Sequence, residues 1–298
     1  MTAYANTHMQ THAEAAPIHL SIKSALQFAL RLVFRDAAKI WPRVVLPMLA
    51  GGLALYGALY LYLLEYERYL VLPSDRAGSL VLGVATAGLL VTLFSHSVTT
   101  ATISSLALGR TDRGWKYFCA SRRAWRTYAA YLRFFVTAAA IATVGLILQS
   151  LLNRIWLSPL VEACVNIGLI AAFAVLAVRA GFLIAPVAAA HDRGEVVRES
   201  WRLSSRHFWK LAALIFLFAL PGFGVEYVCE MVIRLAGFAP RIEQGRTLVE
   251  FVASYRHSLP AVLVAVGTAY VLSVVLLIAA SAAAYRQITE QAEKPDAE

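Results

Sequence analysis

The sequence predicts an all-α protein, a polytopic membrane helix bundle of about six transmembrane helices with amphipathic interfacial helices, on three observations. First, 59% of the 298 residues are hydrophobic and only 15% charged, with a mean hydropathy of +0.63, whereas about a quarter of a water-soluble domain is charged. Second, six stretches are long and apolar enough to cross a bilayer, which takes about 20 residues of helix because backbone groups must be satisfied internally. Third, Lys and Arg gather in alternate connectors, the bias that keeps positive flanks cytoplasmic. Together these exclude a conventional soluble enzyme and a disordered chain, and three cysteines are too few for a disulfide-stapled module.

Residues 1–20 hold no Lys or Arg and no apolar run of signal-peptide length, so they read as a flexible cytoplasmic tail without a cleaved signal. Ile22, Leu26, Ala29, Leu30, Val33, Ala37 and Ile40 then recur at helical spacing, beside a stripe of Arg31, Arg35, Lys39 and Arg43 in steps of four. This pattern predicts an amphipathic helix in the headgroup layer. The six spans follow at Val44–Leu64, Ser79–Gly109, Ala129–Leu151, Pro159–Ala190, Leu211–Gly237 and Pro260–Tyr285, making 21–286 one membrane domain. Residues 287–298 are polar and acidic and read as a second cytoplasmic tail.

Within the spans, small residues such as Gly51, Gly52, Gly83 and Gly88 permit close helix packing. The second span turns polar from Ser95 to Ser105, and the second and fourth are long enough to tilt or project into the cytoplasm. Pro47 and Pro221 are expected to bend or break their helices, with Pro221-Gly222 as the stronger hinge. Ahead of the fifth span the interfacial design repeats, with Val197, Trp201, Ser204 and Phe208 as the apolar edge and Arg198, Arg202, Arg206 and Lys210 stepping by four beside it.

Most of the 27 Lys and Arg precede the first span, lie between the second and third or the fourth and fifth, or follow the sixth. Both termini are therefore expected in the cytoplasm of a bacterial inner membrane. The same bias accounts for the net charge of +9 without nucleic acid. Each cation near an anionic surface contributes about 1 kcal/mol, so the basic helices either contact lipid headgroups specifically or serve as solvated connectors that fix topology.

Trp41, Trp125 and Trp209 stand 84 residues apart, each ahead of an odd-numbered span, and Asp-Arg-Gly recurs at 112–114 and 192–194. Three repeated helix hairpins would produce this pattern, and so would the ordinary enrichment of Trp at membrane boundaries.

Ionisable groups inside a bilayer are the candidates for chemistry. His96 and Arg179 lie near the middle of the two long spans, forming the candidate intramembrane polar site. His96 reads as polar packing or as a proton-relay or ligand group. Arg179 is an interface anchor if the crossing is Pro159–Val178, and needs a buried carboxylate or lipid phosphate if it is Gly168–Ala190. Arg133 is expected to snorkel. Glu226, Glu230 and Arg234 step by four on one face and read as an amphipathic extension, while Glu162 is a boundary residue. No zinc, nucleophile or phosphate-loop signature occurs, so neither a metal nor a cofactor is expected. Cys119 falls on the cytoplasmic side, and a Cys164–Cys229 disulfide is conceivable only if geometry allows it.

Ala185-Pro186, Asp192, Gly194, the run Glu199-Ser200-Trp201-Arg202-Leu203-Ser204 and Phe208-Trp209-Lys210 resemble the connector before the fifth span in bacterial six-span proteins grouped with the membrane domain of glycerophosphodiester phosphodiesterases. The resemblance covers about 30 residues, and the catalytic barrel of the fused enzymes has no counterpart in this sequence. It therefore implies a membrane module and not the hydrolase, and it carries over no functional residue. The functional expectation is a non-enzymatic accessory or scaffold module whose basic face meets membrane lipids or a partner membrane protein. A small transporter or lipid-translocating protein is the alternative, and an intramembrane enzyme ranks third.

Overall fold

The structure, a computed structural model, describes residues 20–71, 75–110, 121–155, 159–191, 194–235 and 248–292. Among these, every regular element is helical: α1 (Ile22–Leu30), α2 (Ala37–Val71), α3 (Asp75–Ala107), α4 (Arg122–Ile155), α5 (Pro159–Leu176), α6 (Ile184–Ala190), α7 (Val196–Ser204), α8 (Phe208–Leu235) and α9 (Leu248–Ala292). Two π-helical turns interrupt the pattern, Arg31–Arg35 after α1 and Ala177–Gly181 between α5 and α6.

Among the described residues, four segments are long and apolar enough to cross a membrane: Ala37–Tyr66, Leu82–Ala107, Arg122–Leu151 and Ala163–Ala190, the last running through the second π turn. Val196–Ser204 and Phe208–Leu220, bent by 104°, make a fifth if the pair counts as one span. The predicted sixth stretch falls within α9, whose 45 residues extend about 67 Å at 1.5 Å per residue. That is roughly twice a hydrocarbon core of about 30 Å.

Proline does not end these helices. Pro42 and Pro47 both lie inside α2, and α8 continues through position 221 to Leu235, so the expected break there does not occur. Membrane helices tolerate proline because neighbouring groups and local adjustments satisfy the carbonyl that loses its N–H partner. Among the described residues the two in the left-handed region are both glycines, Gly109 (φ +68°) after α3 and Gly194 (φ +97°) before α7.

α3 is the central helix, packed against α2, α4, α6 and α9. Its crossing with α2 is close because side chains are absent there: a methyl group on Gly88 would collide with the Ala58 Cβ, and one on Gly51 would come within 2.9 Å of the Ser95 Cβ. Thr92 reinforces the crossing by donating its hydroxyl toward the carbonyls of Gly51 (3.2 Å) and Gly88 (2.8 Å). Gly52 and Gly83, by contrast, face open space.

The apolar core lies at one end of the bundle. Ala29 and Val33, Ile40 and Val44 of α2, Ile103 of α3, Leu183, Ile184, Val187 and Ala188, Leu211 and Leu214 of α8, and Val275, Ile278, Ala279, Ala283 and Ile288 of α9 converge there. Gln287 fastens the first helix to the last, accepting from the Ser21 N–H (2.8 Å) and donating to Ser24 Oγ (2.7 Å). Residue 287 is thus helical and packed, contrary to the expectation of a tail from that point. Away from this end, large apolar side chains such as Leu53, Val144, Ile167 and Ile170 are exposed, as suits helices solvated by lipid tails. α4 is the most peripheral span, with 6% of its apolar window buried.

Candidate functional site

The first basic helix buries Ala25, Ala29, Val33 and Ile40 and leaves Leu30 40% exposed. The packed face therefore follows the predicted one, with Ile22 and Leu26 partly buried against the same core, apart from Leu30, which turns outward. Arg31, Arg35 and Lys39 remain exposed, with Lys39 paired to Asp36 at 3.2 Å.

α7 differs more. The expected apolar edge is Val197, Trp201, Ser204 and Phe208, but the buried edge is Val196, Ser200, Ser204 and His207, with Trp201 41% exposed. The π turn supplies the reason. It shifts the hydrogen-bond ladder, so that Phe182 N–H donates to the Ala177 carbonyl at 2.9 Å, and neighbouring carbonyls accept from side chains. Ser200 Oγ donates to the Ala180 carbonyl (2.7 Å), and Ser204 Oγ lies 2.7 Å from the Arg179 carbonyl and 3.0 Å from that of Trp201. Two serines at i and i+4 thus clamp α7 across the π turn. That spacing was legible in the sequence; the carbonyls awaiting it were not.

The clamp sets the surroundings of Arg179. Its guanidinium carbon stands 4.8 Å above the centroid of the Trp201 ring, a cation–π contact, and its Nε is buried without a hydrogen-bond partner among the described residues. Neither acid of α7 serves it. Glu195 pairs with Arg133 at 3.6 Å, and Glu199 receives both Arg202 Nε (3.0 Å) and Nη2 (2.7 Å). The Arg202 hydrogen bond holds the Glu199 carboxyl below its ordinary range. Arg198 and Arg206 are exposed and Lys210 is half-buried, so the predicted cationic edge faces outward. Arg110 and Arg126 add donors to the same region, reaching the carbonyls of Ala189 (3.3 Å) and Gly194 (3.1 Å).

His207 closes this edge. Burial first, then the nearby Lys210 and Arg206 charges, pushes its imidazole below the ordinary histidine value. His191, at the end of α6, lies 3.0 Å through Nε2 from the Tyr285 hydroxyl of α9.

His96 occupies a separate polar cluster within the spans. Its Nδ1 is 2.7 Å from the Tyr270 hydroxyl of α9, and its ring is 5.3 Å from that of Tyr131 on α4. Around His96, the hydroxyl-rich half of α3 is buried and mostly satisfies itself: Ser97, Thr99 and Thr102 donate to carbonyls four residues back on their own helix. His96 and Arg179 are thus two sites and not one. Tyr131 and Tyr270 carry no sequence signal, since tyrosine in a span is common.

The side chains of Glu162, Glu226, Glu230, Arg234 and Cys229, together with Cys119, the first Asp-Arg-Gly and Asp192-Arg193 of the second, lie outside the described residues. Among the described ones, Cys164 is an exposed free thiol, and no group of three His, Cys, Asp or Glu side chains is placed to hold a metal. No protein-family model, curated protein or solved structure matches the chain.

Proposed function

We propose that the protein is a non-enzymatic inner-membrane accessory module of bacterial type whose cationic end contacts anionic lipid headgroups or a partner membrane protein. The observation carrying this reading is the convergence of the α1 and α7 basic edges on the end of the bundle where the core is assembled. Six crossings with both termini cytoplasmic complete the proposal, supported by the predicted sixth stretch within α9 and by Gln287 joining the α1 and α9 ends. The likeness of the α7 motif to the connector of phosphodiesterase membrane domains accords with a membrane module.

The test is full-length protein carrying R198Q, R202Q and R206Q, offered vesicles of phosphatidylglycerol or phosphatidylcholine. Selective retention of phosphatidylglycerol should fall in the triple variant, and unchanged retention refutes the lipid reading. Cysteine labelling at positions 125 and 209 from opposite sides of the bilayer would refute the topology.

A transport function is the second reading, favoured by His96, whose hydrogen bond to Tyr270 puts an imidazole inside the spans beside the polar half of α3. Solute flux in proteoliposomes that is lost in H96A with insertion intact would support it.

A further inference from the structure

We propose that Arg179, stacked on Trp201 at the π turn, is the seat of one phospholipid phosphate. This rests on the lipid-contact reading above and deepens it, by separating a single structured site from the diffuse attraction of the exposed arginines.

Arg179 is half-buried, and a guanidinium nitrogen withdrawn from water is costly unless it is paired. Yet the described acids at this end are committed elsewhere: Asp36 to Lys39, Glu195 to Arg133, Glu199 to Arg202 and Glu290 to Arg286. The guanidinium is left with an aromatic face 4.8 Å away and a buried Nε that donates to nothing.

Stacking fixes the orientation of this cation without using its hydrogens. A ring below the guanidinium plane satisfies the charge in part and leaves the in-plane N–H groups, whose spacing matches two oxygens of a phosphodiester. The platform is built rather than incidental. Ser200 and Ser204 flank Trp201 and tie α7 to the carbonyls of Ala180 and Arg179 itself, each at 2.7 Å, so ring and guanidinium are held by one clamp. π turns are uncommon in α-helices and recur where a function requires a displaced side chain.

The surroundings favour a lipid over a free anion. Val175, one turn before Arg179 on the same span, is 42% exposed and offers apolar surface to an acyl chain, while Trp201 sits on the helix read as interfacial. A phosphate at Arg179 would therefore have its ester chains running along α5.

Native mass spectrometry of the full chain in mild detergent, titrated with phosphatidylglycerol, tests the site, with diacylglycerol as the phosphate-free control. Wild type should hold one phosphatidylglycerol that survives salt. R179Q should weaken it roughly ten- to hundredfold, the loss expected for charge-assisted hydrogen bonds, and R179K, which keeps the charge but not the fork, should fall between. The R198Q/R202Q/R206Q variant should keep this lipid. Retention unchanged in R179Q overturns the proposal while leaving the accessory reading to its own test. Loss in R179Q without any preference of wild type for phosphatidylglycerol over phosphatidylcholine supports the site and refutes the anionic-lipid reading. Displacement of the lipid by millimolar inorganic phosphate would assign the seat to a free anion and overturn the lipid assignment. Should R179Q fail to fold, a photoactivatable phosphatidylglycerol on wild type decides: labelling of the peptides around 175–183 and 196–204 is expected, and labelling only elsewhere overturns the proposal.

Discussion

Removing the two clamp hydroxyls should release α7 from the bundle while the spans stay folded. Each 2.7 Å contact pairs a serine hydroxyl with a backbone carbonyl, and leaving a buried acceptor unpaired costs about 1–3 kcal/mol. Ser204 divides its single proton between the carbonyls of Arg179 and Trp201, so Ser200 should contribute the larger share. S200A is therefore expected to raise the local opening equilibrium of α7 by about 5- to 150-fold, the range those energies give at RT ≈ 0.59 kcal/mol. S204A should raise it by less, and the double variant by more than either. Hydrogen exchange resolved to the 196–204 peptide in nanodiscs measures this, with protection of α3 as the internal reference. S205A is the matched control, because the Ser205 hydroxyl only reaches back to the Arg202 carbonyl on an exposed surface. Equal α7 exchange in wild type and S200A, or an S205A effect as large as that of S200A, would refute the clamp.

Gly88→Ala should destabilise the α2–α3 crossing by about 1–3 kcal/mol through overpacking against Ala58, seen as earlier thermal unfolding in micelles; Gly83→Ala, facing open space, should be neutral or slightly stabilising. The depressed His207 value means the folded state favours the neutral ring. Its contribution is full above the unfolded value of about 6.5 and is lost below that, as pH falls through the lower folded-state value. H207Q should flatten the pH dependence of stability below about 6.5; an unchanged slope would exclude His207 as its source. A double-mutant cycle on H96A and Y270F should return a coupling of about 0.6–1.7 kcal/mol, the range for hydrogen bonds within membranes, and additive effects would mean that the 2.7 Å contact contributes nothing net.

The features legible in the sequence are those fixed locally. Apolar run length marks α2 to α5, since a span must satisfy its own backbone whatever its neighbours are, and the basic edges of α1 and α7 follow from steps of four residues. What escaped the sequence depends on distant partners or on backbone irregularity. Nothing in Ala177–Gly181 requires a π turn, so the rotation of α7 that buries Ser200 in place of Trp201 could not be read from either segment alone. Likewise His96 is conspicuous as an ionisable residue in a span, whereas Tyr270, its partner 174 residues away, resembles any other aromatic residue of α9.

The Gln287 bridge to Ser21 and Ser24 spans 266 residues at its longer reach, and this has a consequence for biogenesis. During synthesis α1 emerges long before its binding surface on α9 exists, so it must wait at the membrane until that surface has followed it. Docking of α1 is thereby deferred until this part of α9 has been made: a nascent chain stalled before residue 287 would carry that helix without its anchor.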